Sequence, residues 1–385
     1  MKKHLLLIMA LLCSILSLQA TNPPLGSLSG TYTVGNSQQY KKLSDIAGVL
    51  NSSSITVTGN VVFELDSDYD GTTGEVFPIV FNQFKTAGGN WTVTIRPRAG
   101  VAMRTTAGDP GAQPLITFNG ADQLIFDGRA GGSGEIAWLL RNTATTNAGA
   151  TILLQSDAQN NTLTYLQLEG QTLSAGVVHI GTSGAGGNDD NTISYCTIRD
   201  RTDMSTPARP VAGILSQGSA TSTGIQIDHN HIFNFYCDGD TAYGIRMTHG
   251  STAASILSNS IYQTEPLLNA APGTRLYGIA VNELTTTGIT IGSNYIGGSA
   301  PECGGAPLTL ASTTGGHCVV RGISYGVLNA PFAEGNACSN NTIRNIDVTN
   351  DGDVPAMSGI FTGIFCNANI DVLNNTIGNP DGHDA

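Results

Sequence analysis

The sequence predicts an all-β fold, a right-handed parallel β-helix with a capping helix near its start. Three observations predict it. First, a short phrase recurs: Asn161-Thr-Leu163, Asn191-Thr-Ile193, Asn230-His-Ile232, Asn259-Ser-Ile261, Asn294-Tyr-Ile296, Asn341-Thr-Ile343 and Asn375-Thr-Ile377. The copies stand 29 to 47 residues apart, each 12 to 17 residues after a glycine (Gly149, Gly176, Gly213, Gly244, Gly278, Gly326, Gly363). One structural unit with loops of variable length repeats in this way in solenoids and propellers. Second, apolar residues alternate around each copy, as in Thr162 to Leu168 and Ile225 to Phe233, which is strand periodicity with one buried face. Third, no copy carries a helical stripe.

Stacked three-strand coils put each Asn over its counterpart, where its amide donates to one neighbour and accepts from the next. The seven Asn residues are therefore expected to form one or more ladders, with Leu163, Ile193, Ile232, Ile261, Ile296, Ile343 and Ile377 pointing inward. A propeller would need four strands per unit at a regular period, which these spacings do not keep. Eleven to thirteen coils, about 4.8 Å apart, are expected over residues 55 to 385.

From the start of the chain, Met1 to Ala20 joins Lys2 and Lys3 to an apolar core from Leu5 to Leu18. This reads as a secretory signal peptide, too short for a spanning helix. Leu12 before Cys13 argues against a lipoprotein anchor. No later run is long enough to cross a bilayer, so the expected location is secreted or cell-surface.

Residues 21–54 read as an N-terminal cap region. Within it, Tyr40, Leu43, Ile46, Ala47 and Leu50 have helical spacing, and an amphipathic helix laid there would cover the unpaired edge of the first coil. Ile55 to Leu65 and Trp91 to Pro97 then alternate as strands. Leu115 to Asp127 reads as two strands around Asn119-Gly120.

With 17 basic against 29 acidic residues, a net charge of −12 and 12% charged residues, the chain is a poor partner for nucleic acid. Its 40% hydrophobic content excludes a disordered tract. Six cysteines remain after the signal: Cys196, Cys237, Cys303, Cys318, Cys338 and Cys366. Cys303 and Cys318, both in the longest insertion, are the expected disulfide pair if the cysteines bridge at all. The other reading makes them small apolar core residues.

Several runs together carry a resemblance: Gly30-Thr-Tyr-Thr-Val-Gly35, Val62-Phe-Glu-Leu65, Glu75-Val-Phe-Pro78, Thr94-Ile-Arg-Pro97, Leu124-Ile-Phe-Asp-Gly-Arg129, Trp138-Leu-Leu-Arg-Asn-Thr143 and Asn160-Asn-Thr-Leu-Thr-Tyr-Leu-Gln-Leu-Glu-Gly170. From about Ser29 onward the chain resembles the cell-surface β-helix proteins of the Bacteroidetes. The resemblance implies export by the type IX route, and retention through a C-terminal sorting domain that this sequence does not show. It says little about activity. After Ile377 only Gly-Asn-Pro-Asp-Gly-His-Asp-Ala follows, too short and polar to cover a last coil, so the natural polypeptide is expected to continue with further modules.

Candidate chemistry falls on the loops. Asp66, Asp68 and Asp70, with Gly71, have the one-three-five spacing of a calcium loop. The twelfth position is Phe77, however, and an acidic solvated turn is the competing reading. No other cofactor is expected. Asp189 and Asp190 invite comparison with β-helix glycoside hydrolases, in which paired carboxylates protonate the leaving oxygen and activate water. The His-Gly and basic motif such an enzyme needs would have to be His249-Gly250 and Arg246, about 60 residues on. A polysaccharide lyase would use an Arg base near acidic residues, for which Arg199, Asp200 and Arg201 are the candidates. His179, His229, His231 and His249 lack zinc spacing, with His229 and His231 alternating on one strand.

Two functions from different classes follow. One is a non-catalytic surface protein, an adhesin or stalk that binds polysaccharide or another cell surface. The other is a polysaccharide lyase or glycoside hydrolase of the pectate lyase-like β-helix type. The acidic balance argues against the second, since a polyanionic substrate is met by a basic groove. Clustered Arg and Lys on one groove would reverse that argument.

Overall fold

The computed structural model describes residues 26–378 apart from 146–147, 183, 185, 206–207, 219–220, 249–250, 283–286, 313–317, 327–334, 351–359 and 368–369. The stretch read as a signal peptide, with Cys13, the motif His249-Gly250 and the final residues 379–385 lie outside the described residues.

The period-2 pattern resolves into three long sheets in which strands pair in parallel, the arrangement of a parallel β-helix. Eleven strands form the first sheet, from Ser27–Val34 and Thr56–Leu65 to Asp371–Leu373; the second and third hold nine each. In a typical coil, Thr162–Thr164 lies in the first sheet, Gln167–Glu169 in the second and Gly176–Ile180 in the third. At about 4.8 Å per coil the first sheet is about 50 Å long.

Chain that reads as one alternating strand is in fact two, bent at a corner. Thr162–Thr164 and Gln167–Glu169 are separated by Tyr165, which is left-handed at φ 51°. The same bend separates Gln226–Asp228 from His231–Phe233 at His229, φ 54°. His229 and His231 therefore do not share a strand, because alternation along the sequence survives a one-residue corner that reverses direction.

The Asn phrase marks two different corners. Asn161 and Asn191 stand where the chain enters the first sheet, and the Asn161 Nδ2 donates to Asn191 Oδ1 at 3.0 Å. Asn230, Asn259, Asn294, Asn341 and Asn375 stand between the first and second sheets, linked Nδ2 to Oδ1 at 2.9 to 3.0 Å. Cys196 occupies the level below Asn230, and its backbone N–H donates to Asn230 Oδ1 at 2.9 Å. The move from one corner to the other explains the irregular spacing between Asn191 and Asn230. A third ladder, absent from the phrase, joins Gln155, Asn119 and Asn82 on the third sheet.

The recurring glycines have a packing cause. Gly213, Gly244, Gly278, Gly322 and Gly363 are level with one another in the third sheet. A Cβ on each would lie 2.4 to 2.7 Å from the Cγ2 of Ile232, Ile261, Ile296, Ile343 and Ile377 respectively. The phrase is thus two halves of one contact across the core, an isoleucine seated on bare backbone. The column member is Gly322 rather than Gly326, while Gly149 and Gly176 fall outside the column.

Leu163, Ile193, Ile232, Ile261, Ile296 and Ile343 are buried. Ile377 is 50% exposed, since no further coil among the described residues lies over it. Helix α1, Leu43–Leu50, buries Leu43, Ile46, Ala47 and Leu50 in the same core. It follows the strand Ser27–Val34, which already pairs with Thr56–Leu65, so the stretch read as a cap region holds both elements. The six described cysteines are free thiols, and the Cys303–Cys318 pairing does not form. Cys303 is buried beside the Thr342 carbonyl at 3.5 Å and Cys318 is buried in the main core, so packing orders the insertion without a bridge.

Candidate functional site

The acidic loop after Thr56–Leu65 points its carboxylates in separate directions. Asp66 pairs with Arg98 at 2.8 Å. Asp68 accepts from the Ser37 N–H at 2.8 Å, a bond that holds its pKa below the usual carboxylate range. Asp70 accepts from the Thr72 hydroxyl and from the N–H groups of Thr72 and Thr73, which together hold it at about 2. Glu75 accepts from the N–H groups of Leu43 and Ser44 at 2.6 and 3.1 Å and so caps α1. Among the described residues no group of three or more His, Cys, Asp or Glu side chains is placed to hold a metal.

The residues proposed for catalysis fall at two different corners of one coil. Asp189 accepts from the Thr223 N–H at 2.7 Å, and Asp190 is a left-handed turn residue at φ 53°, just before the first sheet. Arg199 ends a strand of the second sheet and Asp200 follows it. Arg199 Nε and Nη2 donate to Asp200 Oδ1 at 3.0 and 2.9 Å, and the Asn234 amide donates to the same oxygen at 3.0 Å. Asp200 is 3% exposed and braces the coil above it. Arg199, Asp200, Arg209 and Glu265 line a hollow of about 560 Å³. Burial pushes the Arg209 guanidinium below its ordinary value, while its Nη1 donates to Gln263 Oε1 at 3.1 Å.

The outer face of the third sheet carries a cluster that motif reasoning missed. Strands Thr241–Met247, Arg275–Val281, Val319–Tyr325 and Ile360–Cys366 run in register there. The residues flanking each buried Gly-Ile pair project outward: Tyr243 and Arg246, Tyr277 and Ala280, Arg321 and Ser324, Thr362 and Phe365. The Tyr243 and Tyr277 rings meet edge to face at 5.6 Å. The Arg246 guanidinium lies 4.5 Å over Tyr243, and that of Arg321 lies between Tyr277 at 5.0 Å and Phe365 at 4.3 Å. An open groove of about 440 Å³ runs over Tyr243, Tyr277, Arg321 and Phe365, edged by Thr241, Arg275, Asn282, Ser324 and Asn367. A signal that could have revealed it was present, because in each of these strands at least one residue flanking the Gly-Ile pair is aromatic or Arg.

The fold defines a parallel β-helix. No family model and no curated protein matches the chain. Solved structures it is similar to include the crystal structure of PfbA, a surface adhesin of Streptococcus pneumoniae. That likeness has 12% identity and a TM-score of 0.33, and covers 88% of this chain and 86% of that one. A second structure, described as the Streptococcus pneumoniae surface protein and adhesin PfbA, has 13% identity and a TM-score of 0.31, covering 92% and 88%. Likeness at this level carries no functional argument. Among the described residues no helix is long and apolar enough to cross a membrane.

Proposed function

We propose that this protein is an exported, non-catalytic surface β-helix, an adhesin or stalk, that binds glycans along the outer face of its third sheet. The groove over Tyr243, Tyr277, Arg321 and Phe365 carries this reading. The exposed Phe365 ring with amide and hydroxyl edges beside it matches a sugar, whose C–H face packs on the ring while its hydroxyls hydrogen-bond at the rim. The leader-like first 20 residues and the resemblance to exported β-helix proteins support the location. Against catalysis stand the separated positions of Asp189 and Asp190 from Arg199 and Asp200, each of the last two tied to the other.

Retention of the protein on immobilised oligosaccharides tests the reading. The wild type is expected to be retained, and a Phe365→Ala/Asn282→Ala variant of unchanged melting temperature to be released early. Equal retention of the two would place any binding elsewhere. The enzyme reading keeps one observation in its favour, the hollow containing Arg199, Arg209 and Glu265. It requires product release from a polysaccharide.

A further inference from the structure

Six arginines of this acidic chain, Arg96, Arg98, Arg129, Arg141, Arg199 and Arg201, have a carboxylate within 4 Å. Arg246, Arg275 and Arg321 have none among the described residues, and all three lie on one face of the third sheet in successive coils. A net charge of −12 offers many acidic partners. Among the described residues Arg104, Arg209 and Arg344 lack one as well, but Arg104 donates to the Ser67 carbonyl and Arg209 to Gln263. Arg275 and Arg321 line the groove itself, and Arg246 lies beside it, stacked on Tyr243.

We infer that this groove is specific for anionic glycans, saccharides bearing carboxylate or sulfate groups, which Arg275 and Arg321 recognise from within it and Arg246 from beside it. This rests on the glycan reading of the same face. Tyr243 and Tyr277 are each 9% exposed, so their rings serve as the floor on which the guanidinium groups lie rather than as open stacking platforms. Arg321 is held between the rings of Tyr277 and Phe365. The Nε atoms of both Arg246 and Arg321 are buried without a hydrogen-bond partner. A guanidinium fixed by stacking offers paired donors to a carboxylate or sulfate, and a desolvated site strengthens that pairing. Arg275 and Arg321 stand on neighbouring coils, about 4.8 Å apart along the axis and two register positions apart along the strands. A neutral sugar would leave both groove cations without a counter-charge.

The test is calorimetric titration of the full chain with three hexasaccharides: oligogalacturonate for carboxylate, a heparin-derived fragment for sulfate, and maltohexaose as a neutral control. At least one anionic probe should bind ten-fold or more tightly than maltohexaose. Its affinity should fall with added NaCl, and Arg275→Gln/Arg321→Gln should weaken it at least ten-fold while leaving the melting temperature unchanged. The stronger of the two anionic probes then tells carboxylate from sulfate recognition. Binding of maltohexaose equal to that of the anionic probes and indifferent to the Arg variant would overturn the charge specificity and leave the glycan reading standing. No binding of any of the three would overturn both. Should the double variant fail to fold, the NaCl dependence of the wild type decides alone, a flat dependence counting against the inference.

Discussion

Asn294 and Asn341, 47 residues apart in the chain, are joined side chain to side chain at 2.9 Å. Both are fully buried. Each amide in this column also donates to a backbone carbonyl of the preceding coil, and each Oδ1 also accepts the backbone N–H of the residue level with it on the preceding coil, Cys196 for Asn230 and an Asn for the others; for Asn294 these partners are Ile256 and Asn259. The ladder therefore satisfies backbone groups exposed where the chain turns a corner, a place where sheet pairing is interrupted.

Asn294→Ala should be costly for that reason. It strands the Asn259 N–H and amide and the Ile256 carbonyl, and each buried unpaired group costs about 1–3 kcal/mol. A loss of about 3 kcal/mol or more is expected, read as lost hydrogen-exchange protection at the Asn259 amide and the adjoining coils. Asn375→Ala, at a part-buried position, should cost about 1 kcal/mol. Equal effects at the two sites would show that the ladder is ornamental to stability.

Gly244→Ala tests the core contact. The added Cβ would lie 2.6 Å from the Gly278 carbonyl oxygen and 2.7 Å from Ile261 Cγ2. Overpacking of this kind costs about 3 kcal/mol. Trimming the isoleucine in Gly244→Ala/Ile261→Val should recover little of it, because Val loses only the Cδ1, 3.3 Å away, while the Cγ2 and carbonyl clashes both remain. Denaturant titration of the three proteins checks this.

His179 should make stability depend on mildly acidic pH. Burial between Leu153 and Leu215 on the third sheet pushes its pKa down to about 4, and its Nε2 has no partner. The unfolded imidazole protonates near 6.5, so the unfolded state takes up the proton first as pH falls. Stability is then lost between about pH 6.5 and 4, and is fully present above that window. The loss amounts to about 3 kcal/mol at its lower end. His179→Leu should flatten this dependence relative to the wild type, measured as the difference between the two proteins at pH 7.5 and 4.5.

Thiol labelling should separate the cysteines by burial. Cys366 is exposed and should react first. Burial pushes the thiols of Cys196 and Cys338 up to about 12, so both should resist until the coils open. Fast labelling of Cys196 in the native protein would mean that its coil is not closed.

The coil architecture was legible in the sequence because a buried column repeats one residue type wherever one geometry recurs. Asn230 to Asn375 and Ile232 to Ile343 are such columns. Two things were hidden. The Asn phrase serves two corners, and nothing local distinguishes Asn191, at the entrance to the first sheet, from Asn230, at its exit; only the strand register does. The groove was hidden because its residues come from coils 34 to 44 positions apart, and Tyr243, Tyr277, Arg321 and Phe365 share no motif of their own. The paired acids that did look like chemistry, Asp189 with Asp190 and Asp68 with Asp70, instead accept backbone hydrogen bonds or sit at turns, the role that Asp most often fills in loops.

The central claim is that the third-sheet groove holds a glycan and leaves it intact. Prolonged incubation of the full chain with polygalacturonate, monitored both for saturable binding and for released unsaturated or reducing ends, tests it most directly. The account predicts saturable binding, weakened by Phe365→Ala/Asn282→Ala, with no product above the protein-free control. Release of product, abolished by substituting Arg199 or Asp200 and untouched by the groove variant, would contradict it and make the protein a polysaccharide-cleaving enzyme.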